Sequence, residues 1–448
     1  MRLLVKLGCL ECYLSKLIMC YVMRGVVRLR ARYSKGRLVF YNKEAIFGTT
    51  SIIGRAAAVF SFVALLAFYA GPFYWPDSNS AWAGFLRFAV LISVILYLLQ
   101  GIGFRRVGGA WVATIVFFSY MLINSFFLEE GMQSARRLVF IFCFVFMVAN
   151  FWREPNLPQL LLGAVALLGA LFAAFSLFNL YQMGELDVSY RKGAVFSSGI
   201  SGVADFGNTI VAAMHYAVCY CAALWMLLSS KNRYFSIVWT VVVGVISIYI
   251  AMTFARTGWV ACLIATLVFL ALTMRYEGWR RVLPFVVVIA GVFIWFASRY
   301  LGYEVHVRGV TYRDEIWATV LQRVELNLLW GYGAGAKFDP IFIRGGAESV
   351  STAHSTYLEV LYQFGSVGLL LMLTVLFMAL RELVNSTVSQ KRMRPDSFGL
   401  ALLGSASVVM FVELYGFVNA PNLLWGWFWL PLGIALSGVR EGHAENRA

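Results

Sequence analysis

The chain has 448 residues, 61% of them hydrophobic and 13% charged, with a mean hydropathy of +0.76. No water-soluble domain of this length tolerates that composition, and the expected fold class is an all-α integral membrane protein. The net charge of +15 reads as an inner-leaflet signature, because most of its lysines and arginines fall in short loops on one side of the predicted spans; a nucleic-acid surface is excluded.

Residues 1–50 carry ten Lys or Arg against Glu11 and Glu44, with an apolar pattern too interrupted for a span. This segment is expected to be cytoplasmic or interfacial, either an amphipathic helix on the membrane surface or a leader ahead of a start at Met19 or Met23. No small-residue cleavage site follows a short apolar core, so a cleavable signal peptide is not expected.

A helical crossing needs about 20 apolar residues, since lipid satisfies no backbone polar groups. On that rule the sequence predicts about twelve spans, in three blocks. Residues 51–298 hold Ser51 to Ala70, Trp82 to Leu99, Gly108 to Leu128, Leu138 to Trp152, Leu157 to Leu180, Thr209 to Leu228, Phe235 to Phe254, Gly258 to Met274 and Val282 to Ala297. Residues 299–353 form a long polar loop. Residues 354–440 hold His354 to Leu380, Phe398 to Phe417 and Leu423 to Val439, and a short basic tail follows at 441–448. With the N-terminus inside, the cytoplasmic loops receive Arg105, Arg106, Arg153, Lys231, Arg233, Arg275, Arg280, Arg281, Arg381, Lys391, Arg392 and Arg394. The long loop then lies on the periplasmic side, and arginines there need another explanation.

The seven cysteines avoid the long loop, so disulfides are not expected. Cys9-Leu10-Glu11-Cys12 has metal-pair spacing, but no second pair of suitable ligands follows it. No internal repeat or low-complexity tract is visible.

Three outer segments abut membrane spans. The first, Tyr181 to Asn208, carries Arg191, Lys192 and the small-residue tract Phe196 to Gly202. Such a tract exposes backbone N–H groups, as an anion-binding loop requires, or is simply a flexible connection. The second is the tight turn Phe254-Ala255-Arg256-Thr257-Gly258, whose arginine is either a snorkelling anchor or a cation aimed at a ligand. The third is the long loop. Between Tyr312 and Trp330, Ile316, Trp317, Val320, Leu321, Val324 and Leu328 recur at helical spacing, which predicts an amphipathic helix on the membrane surface or on the bundle. Arg313 in its first turn opposes the helix dipole, so it is either solvated, paired with Asp314, or placed there for a ligand.

After this helix come Gly331-Tyr332-Gly333-Ala334-Gly335 and Arg344-Gly345-Gly346, which are expected to let the chain reverse close to the membrane. Ala353-His354-Ser355-Thr356-Tyr357 then opens the next span, with Glu359 in its first turn. At a helix N-terminus the dipole is expected to favour neutral imidazole, the form able to accept a proton. Tyr300, Tyr303, Trp330, Trp425, Trp427 and Trp429 are expected at the interface, as an aromatic belt or as sugar-stacking surfaces.

Three groups of residues together resemble the O-antigen ligase family of bacterial envelope enzymes, whose signature O-antigen polymerases share. They are Arg256-Thr257-Gly258-Trp259, then Arg313-Asp314-Glu315-Ile316-Trp317 with Leu329-Trp330-Gly331-Tyr332-Gly333, and finally His354-Ser355-Thr356-Tyr357-Leu358 with Gly365-Ser366-Val367-Gly368. The resemblance runs from about Arg191 to Leu373. It implies a GT-C-like enzyme of the inner membrane that moves a glycan from undecaprenyl diphosphate to a sugar hydroxyl of lipid A-core at the periplasmic face. By motif position it implies His354 as the base, with Arg256 and Arg313 on the diphosphate. Arg191 is implied there too, although the residues after it depart from the family's asparagine-rich pattern.

The chemistry is consistent with that expectation. The leaving diphosphate needs positive charge, which permanently charged, bidentate arginine supplies. The outer acids Asp187, Asp205, Asp314, Glu348 and Glu359 are scattered without an Asp-x-Asp pair, so neither a metal nor another cofactor is expected. Attack by the acceptor hydroxyl inverts the anomeric centre. Two alternatives stay open: a polymerase that extends lipid-linked glycan, and a transporter or flippase, for which charges should lie at mid-membrane depth.

Overall fold

The structure is a computed structural model that describes residues 32–34, 37–39, 51–74, 79–101, 108–126, 131–184, 197–274, 283, 287, 291, 298, 312–343, 348–388 and 393–438. Arg191, Lys192, Tyr300, Tyr303 and nearly all of the expected span at 282–297 lie outside the described residues, as does most of segment 1–50. Within that segment, β1 (Arg32–Ser34) pairs antiparallel with β2 (Arg37–Val39).

The apolar stretches fold as helices: α1 (Ile52–Tyr74), α2 (Asn79–Leu99), α3 (Gly109–Ser125), α4 (Gly131–Phe151), α5 (Leu157–Gln182), α6 (Thr209–Ser229), α7 (Arg233–Met252) and α8 (Arg256–Met274). Local chemistry sets several starts. Pro158 stands in the first turn of α5, where its missing N–H costs nothing. Asn208 caps α6 and Asn232 caps α7, each side chain accepting the N–H two residues on. After the surface helix α9 (Arg313–Glu325) and the small antiparallel pair β3 (Ile341–Ile343) and β4 (Glu348–Val350), the chain returns through α10 (Thr356–Val388) and α11 (Asp396–Val409). It ends in a π-helical turn, Trp425–Trp429, that continues directly into α12 (Leu430–Leu436).

Among the described residues, eight helices are long and apolar enough to cross a membrane, and α3, α11 and the π turn with α12 are shorter apolar helices. The protein is a mainly helical, multi-pass membrane protein. Helix α6 is its centre: 83% of its apolar window is buried against 33% for α7, and it packs on α5, α7 and α8. Small residues permit this, since Ala212, Ala213, Ala217, Ala222 and Ala223 are all fully buried on α6 and let neighbouring backbones approach.

Four sequence expectations are corrected. The expected span from Phe398 to Phe417 leaves helical geometry after Val409, and residues 410–422 form a loop. Its apolar side chains mimic a span in a hydropathy window, but its backbone is paired differently: the carbonyl of Met410 accepts from the Thr356 N–H, and that of Leu414 from the Thr356 hydroxyl. The amphipathic helix stops at Glu325, and only Ile316, Val320 and Val324 of its stripe are buried, while Leu321 and Leu328 are exposed. Those three close a small core with Phe338, Ile341, Ala353 and Tyr362. In water such burial is worth about 2 kcal/mol per side chain. Trp425, Trp427 and Trp429 are wholly buried instead of forming a belt, because the π turn directs them into the bundle. His354 does not open α10; it precedes Thr356 in a left-handed conformation, φ 46°.

Helix α10 is broken at Gly365, with φ 64° and ψ −170°. The polar groups this break releases find partners from 328–333: Ser366 and Val367 donate to the carbonyls of Leu328 and Leu329, while Tyr332 and Gly333 donate to those of Tyr362 and Gln363. The Tyr120 hydroxyl takes the Phe364 carbonyl at 2.7 Å. A non-helical segment inside a membrane bundle has to be satisfied this way.

Candidate active site

The site forms where the segment preceding α10 meets the loop after α11. Ser355, Thr356 and Tyr357 each hydrogen-bond a carbonyl of the 407–414 stretch through a side-chain hydroxyl. One turn further on, the buried Glu359 carboxylate accepts the N–H groups of Gly416 at 2.7 Å and Phe417 at 3.3 Å, with Gln363 as a further donor at 3.2 Å. Gly416 sits at φ 80°, a conformation glycine adopts without strain. The loop is thus clamped at both ends, and Glu413 rides between the clamps.

Glu413 joins the two strongest sequence candidates. Its Oε2 lies 2.9 Å from Arg313 Nη2 and its Oε1 3.3 Å from His354 Nδ1. The carboxylate side chain is 7% exposed, and a carboxylate so enclosed needs cationic or N–H partners to stay ionised. Arg313 therefore pairs across the fold with Glu413 and not along its own helix with Asp314. An ionised carboxylate can only accept, so His354 Nδ1 carries a proton, and in the neutral imidazole this leaves the lone pair on Nε2. Tyr415 stands edge-on to the imidazole, ring centroids 5.4 Å apart. Burial, followed by the nearby Glu413 and Glu359 carboxylates, raises its hydroxyl above the ordinary tyrosine value, so it remains a neutral phenol.

His354 and Glu413 line a cavity of about 460 Å³ whose polar side also includes Arg137, Tyr415 and Asn419, and whose apolar side includes Phe68, Pro72, Trp82, Val218 and Trp427. Arg137 comes from the second turn of α4, and its guanidinium has two long contacts of 3.5 Å, to the Val418 carbonyl and the Asn419 side chain. His215 also lines the cavity, and its Nε2 lies 3.0 Å from the Tyr69 carbonyl. Arg256, half-buried, heads α8 behind the strained turn at Phe254, φ 51°; it is not among the residues lining the cavity.

The cavity thus combines an oriented imidazole, a buried carboxylate behind it, a guanidinium and an apolar wall. That set can remove a proton from a hydroxyl beside an anionic lipid. Residues 241–373 match the family model described as O-antigen ligase. Over that segment the chain is similar to the O-antigen ligase family. No curated protein matches it. The matched segment holds Arg256, Arg313 and His354, whereas Arg137, Arg191 and Glu413 lie outside it.

Sequence reasoning missed Glu413 and Arg137, and each left a signal. Glu413 is a lone acid in the apolar run Met410 to Phe417, and an ionisable residue within an expected span is by default a functional candidate. Arg136 and Arg137 fall on the expected outer side of their span, like Arg191, Arg256 and Arg313, against the basic-inside bias.

Proposed function

We propose that the protein is a glycosyltransferase that moves O-antigen glycan from undecaprenyl diphosphate to a sugar hydroxyl of lipid A-core, at the periplasmic face of the inner membrane. The observation that carries this reading is the His354–Glu413–Arg313 relay at the edge of a cavity that also contains Arg137.

The acceptor hydroxyl gives its proton to His354 Nε2 as its oxygen attacks the anomeric carbon. The bond from that carbon to the diphosphate oxygen breaks, and the electron pair leaves with the diphosphate. Direct displacement of this kind inverts the anomeric centre. Glu413 holds the imidazole in the accepting tautomer and stabilises the imidazolium that forms, as the carboxylate of a Ser-His-Asp triad does. Arg313, already 2.9 Å from Glu413, orients that carboxylate.

Arg137 is the cation we assign to the diphosphate. A cation about 4 Å from a phosphate contributes on the order of 4 kcal/mol at an effective dielectric of 20, before desolvation. Arg191 and Arg256 add charge from separate loops in this reading. The apolar wall beside Arg137 suits the first units of a polyprenyl chain, and no metal is needed to neutralise the leaving group.

The deciding experiment supplies purified protein with lipid-linked glycan and lipid A-core and analyses the products. Glycan on lipid A-core is expected; lengthened polyprenyl-linked glycan with unmodified lipid A-core would identify a polymerase and overturn the assignment of the acceptor.

A further inference from the structure

The apolar stripe of α9 is used up in its own small core, yet the turn that follows exposes large apolar side chains in succession. Leu326 is 79% exposed, Leu328 51%, Leu329 58% and Trp330 63%. In water this patch would be costly, and the backbone beneath it is not free to rearrange. The Leu328 and Leu329 carbonyls are held by Ser366 and Val367 in the break of α10, and the Trp330 carbonyl by the Asn124 side chain at 3.0 Å.

Those bonds set the level of the turn. Helix α3 has 17 residues, which span about 25 Å at 1.5 Å per residue, less than the roughly 30 Å of a bilayer's hydrocarbon core. Taken as a crossing, it needs its whole length within the apolar layer, which puts Asn124, next to its last residue, at or inside the boundary. Helix α10 points to the same level. Its 33 residues would reach about 50 Å, but the continuous apolar run begins only after Gly365, so the crossing starts where the turn is bonded. Ile123 and Phe126, which flank Asn124 and Ser125 at the end of α3, and Leu370 on α10 are likewise more than 60% exposed, as lipid-facing side chains should be.

We infer that Leu326–Trp330 is a membrane anchor, seated in the boundary between headgroups and acyl chains of the leaflet at the His354 end of the bundle. A tryptophan flanked by leucines at the level of the span ends suits that layer, where the indole ring is apolar and its N–H meets water. The anchor fixes the C-terminal end of α9 to the bilayer while its first residue, Arg313, is fixed to Glu413. The surface helix is thus held at both ends, one by lipid and one by the site. This assignment stands whether or not the glycan transfer proposed above is correct.

The test uses the full chain in lipid membranes, with a photoreactive benzophenone side chain placed in turn at Leu326, Leu328, Ile123 and Lys337. Illumination is expected to give phospholipid adducts at 326 and 328, as at the lipid-facing position 123, and none at the exposed loop position 337. Using two anchor positions guards against local disruption at either. Loss of lipid adducts at both, or their replacement by adducts to another protein or a second copy of the chain, overturns the anchor.

Discussion

Glu413 Oε1 stands 3.3 Å from His354 Nδ1 while its other oxygen stands 2.9 Å from Arg313 Nη2, so one carboxylate couples the His354 imidazole to the guanidinium of a helix far away in sequence. The contact determines which imidazole nitrogen is available. With Nδ1 donating to Glu413, Nε2 is the nitrogen left to accept a proton in the proposed reaction, and rotation of the ring is restrained from one side by the carboxylate and from another by Tyr415.

Glu413→Gln keeps the size of the side chain and removes its charge. The amide can then donate to Nδ1 and stabilise the wrong tautomer. The expected result is a loss of about 10² to 10⁴ in kcat with little change in KM, by analogy with loss of the triad carboxylate. Steady-state transfer kinetics check this, and a rate near that of the parent protein would remove Glu413 from the mechanism.

His354→Ala removes the proposed base and Arg313→Ala removes the partner of Glu413. Both are expected to abolish glycan transfer while leaving membrane insertion intact. Arg313→Lys is expected to retain part of the activity, because a single ammonium can still meet Oε2 but lacks the planar fork. Near-normal transfer by His354→Ala, at normal protein levels in the membrane fraction, would discard it as the base.

The pieces of this site differed in how openly the sequence displayed them. His354 was visible as a polar residue where a span meets a loop, as was Arg256 outside the cavity, and Arg313 because it opposes the dipole of the helix it starts. Glu413 was hidden because Met410, Phe411, Val412 and Leu414 around it satisfy a hydropathy window, although the helix ends at Val409 and the Met410 and Leu414 carbonyls bond to Thr356 at the start of α10. Arg137 was hidden because the expected span began at Leu138, whereas α4 starts at Gly131 and carries the arginine inward. Most of the helices were legible from apolar run length, since a long apolar segment crosses lipid only with its backbone groups satisfied as a helix. The break at Gly365 was not, because it depends on partners from 328–333 that no local pattern announces.

Gly365→Ala tests that break. A Cβ there would collide with the Leu329 carbonyl oxygen, and the positive φ disfavours any other residue. The combined cost is expected to be on the order of 3 kcal/mol, read as a lowered melting temperature of the detergent-solubilised protein. Gly244 on α7, whose Cβ would meet nothing, is the control, and equal behaviour of the two alanine variants would contradict the packing described.

Arg137→Ala is expected to raise KM for the lipid-linked donor by about tenfold or more, the effect of losing a charge-assisted contact worth roughly 1.5 to 3 kcal/mol. Arg137→Lys should recover part of it. Competition by a short prenyl diphosphate separates binding from chemistry: it should weaken in parallel in Arg137→Ala but not in Glu413→Gln. Unchanged competition in Arg137→Ala would move the diphosphate elsewhere in the site.

The same division of labour predicts the response to chelators. Glu413 is the carboxylate on the described lining of the cavity, and both its oxygens are committed, one to Arg313 and one to His354. A divalent ion there would have to compete with a guanidinium for Oε2 and would leave the imidazole unoriented, so charge on the leaving diphosphate falls to arginine in this arrangement. Transfer by the purified protein is therefore expected to proceed at an unchanged rate in EDTA, and added magnesium should not accelerate it. Complete loss in EDTA with recovery on adding magnesium would show that a cation joins the donor diphosphate during the reaction, and Arg137 would then be a binding residue rather than the principal stabiliser of the leaving group.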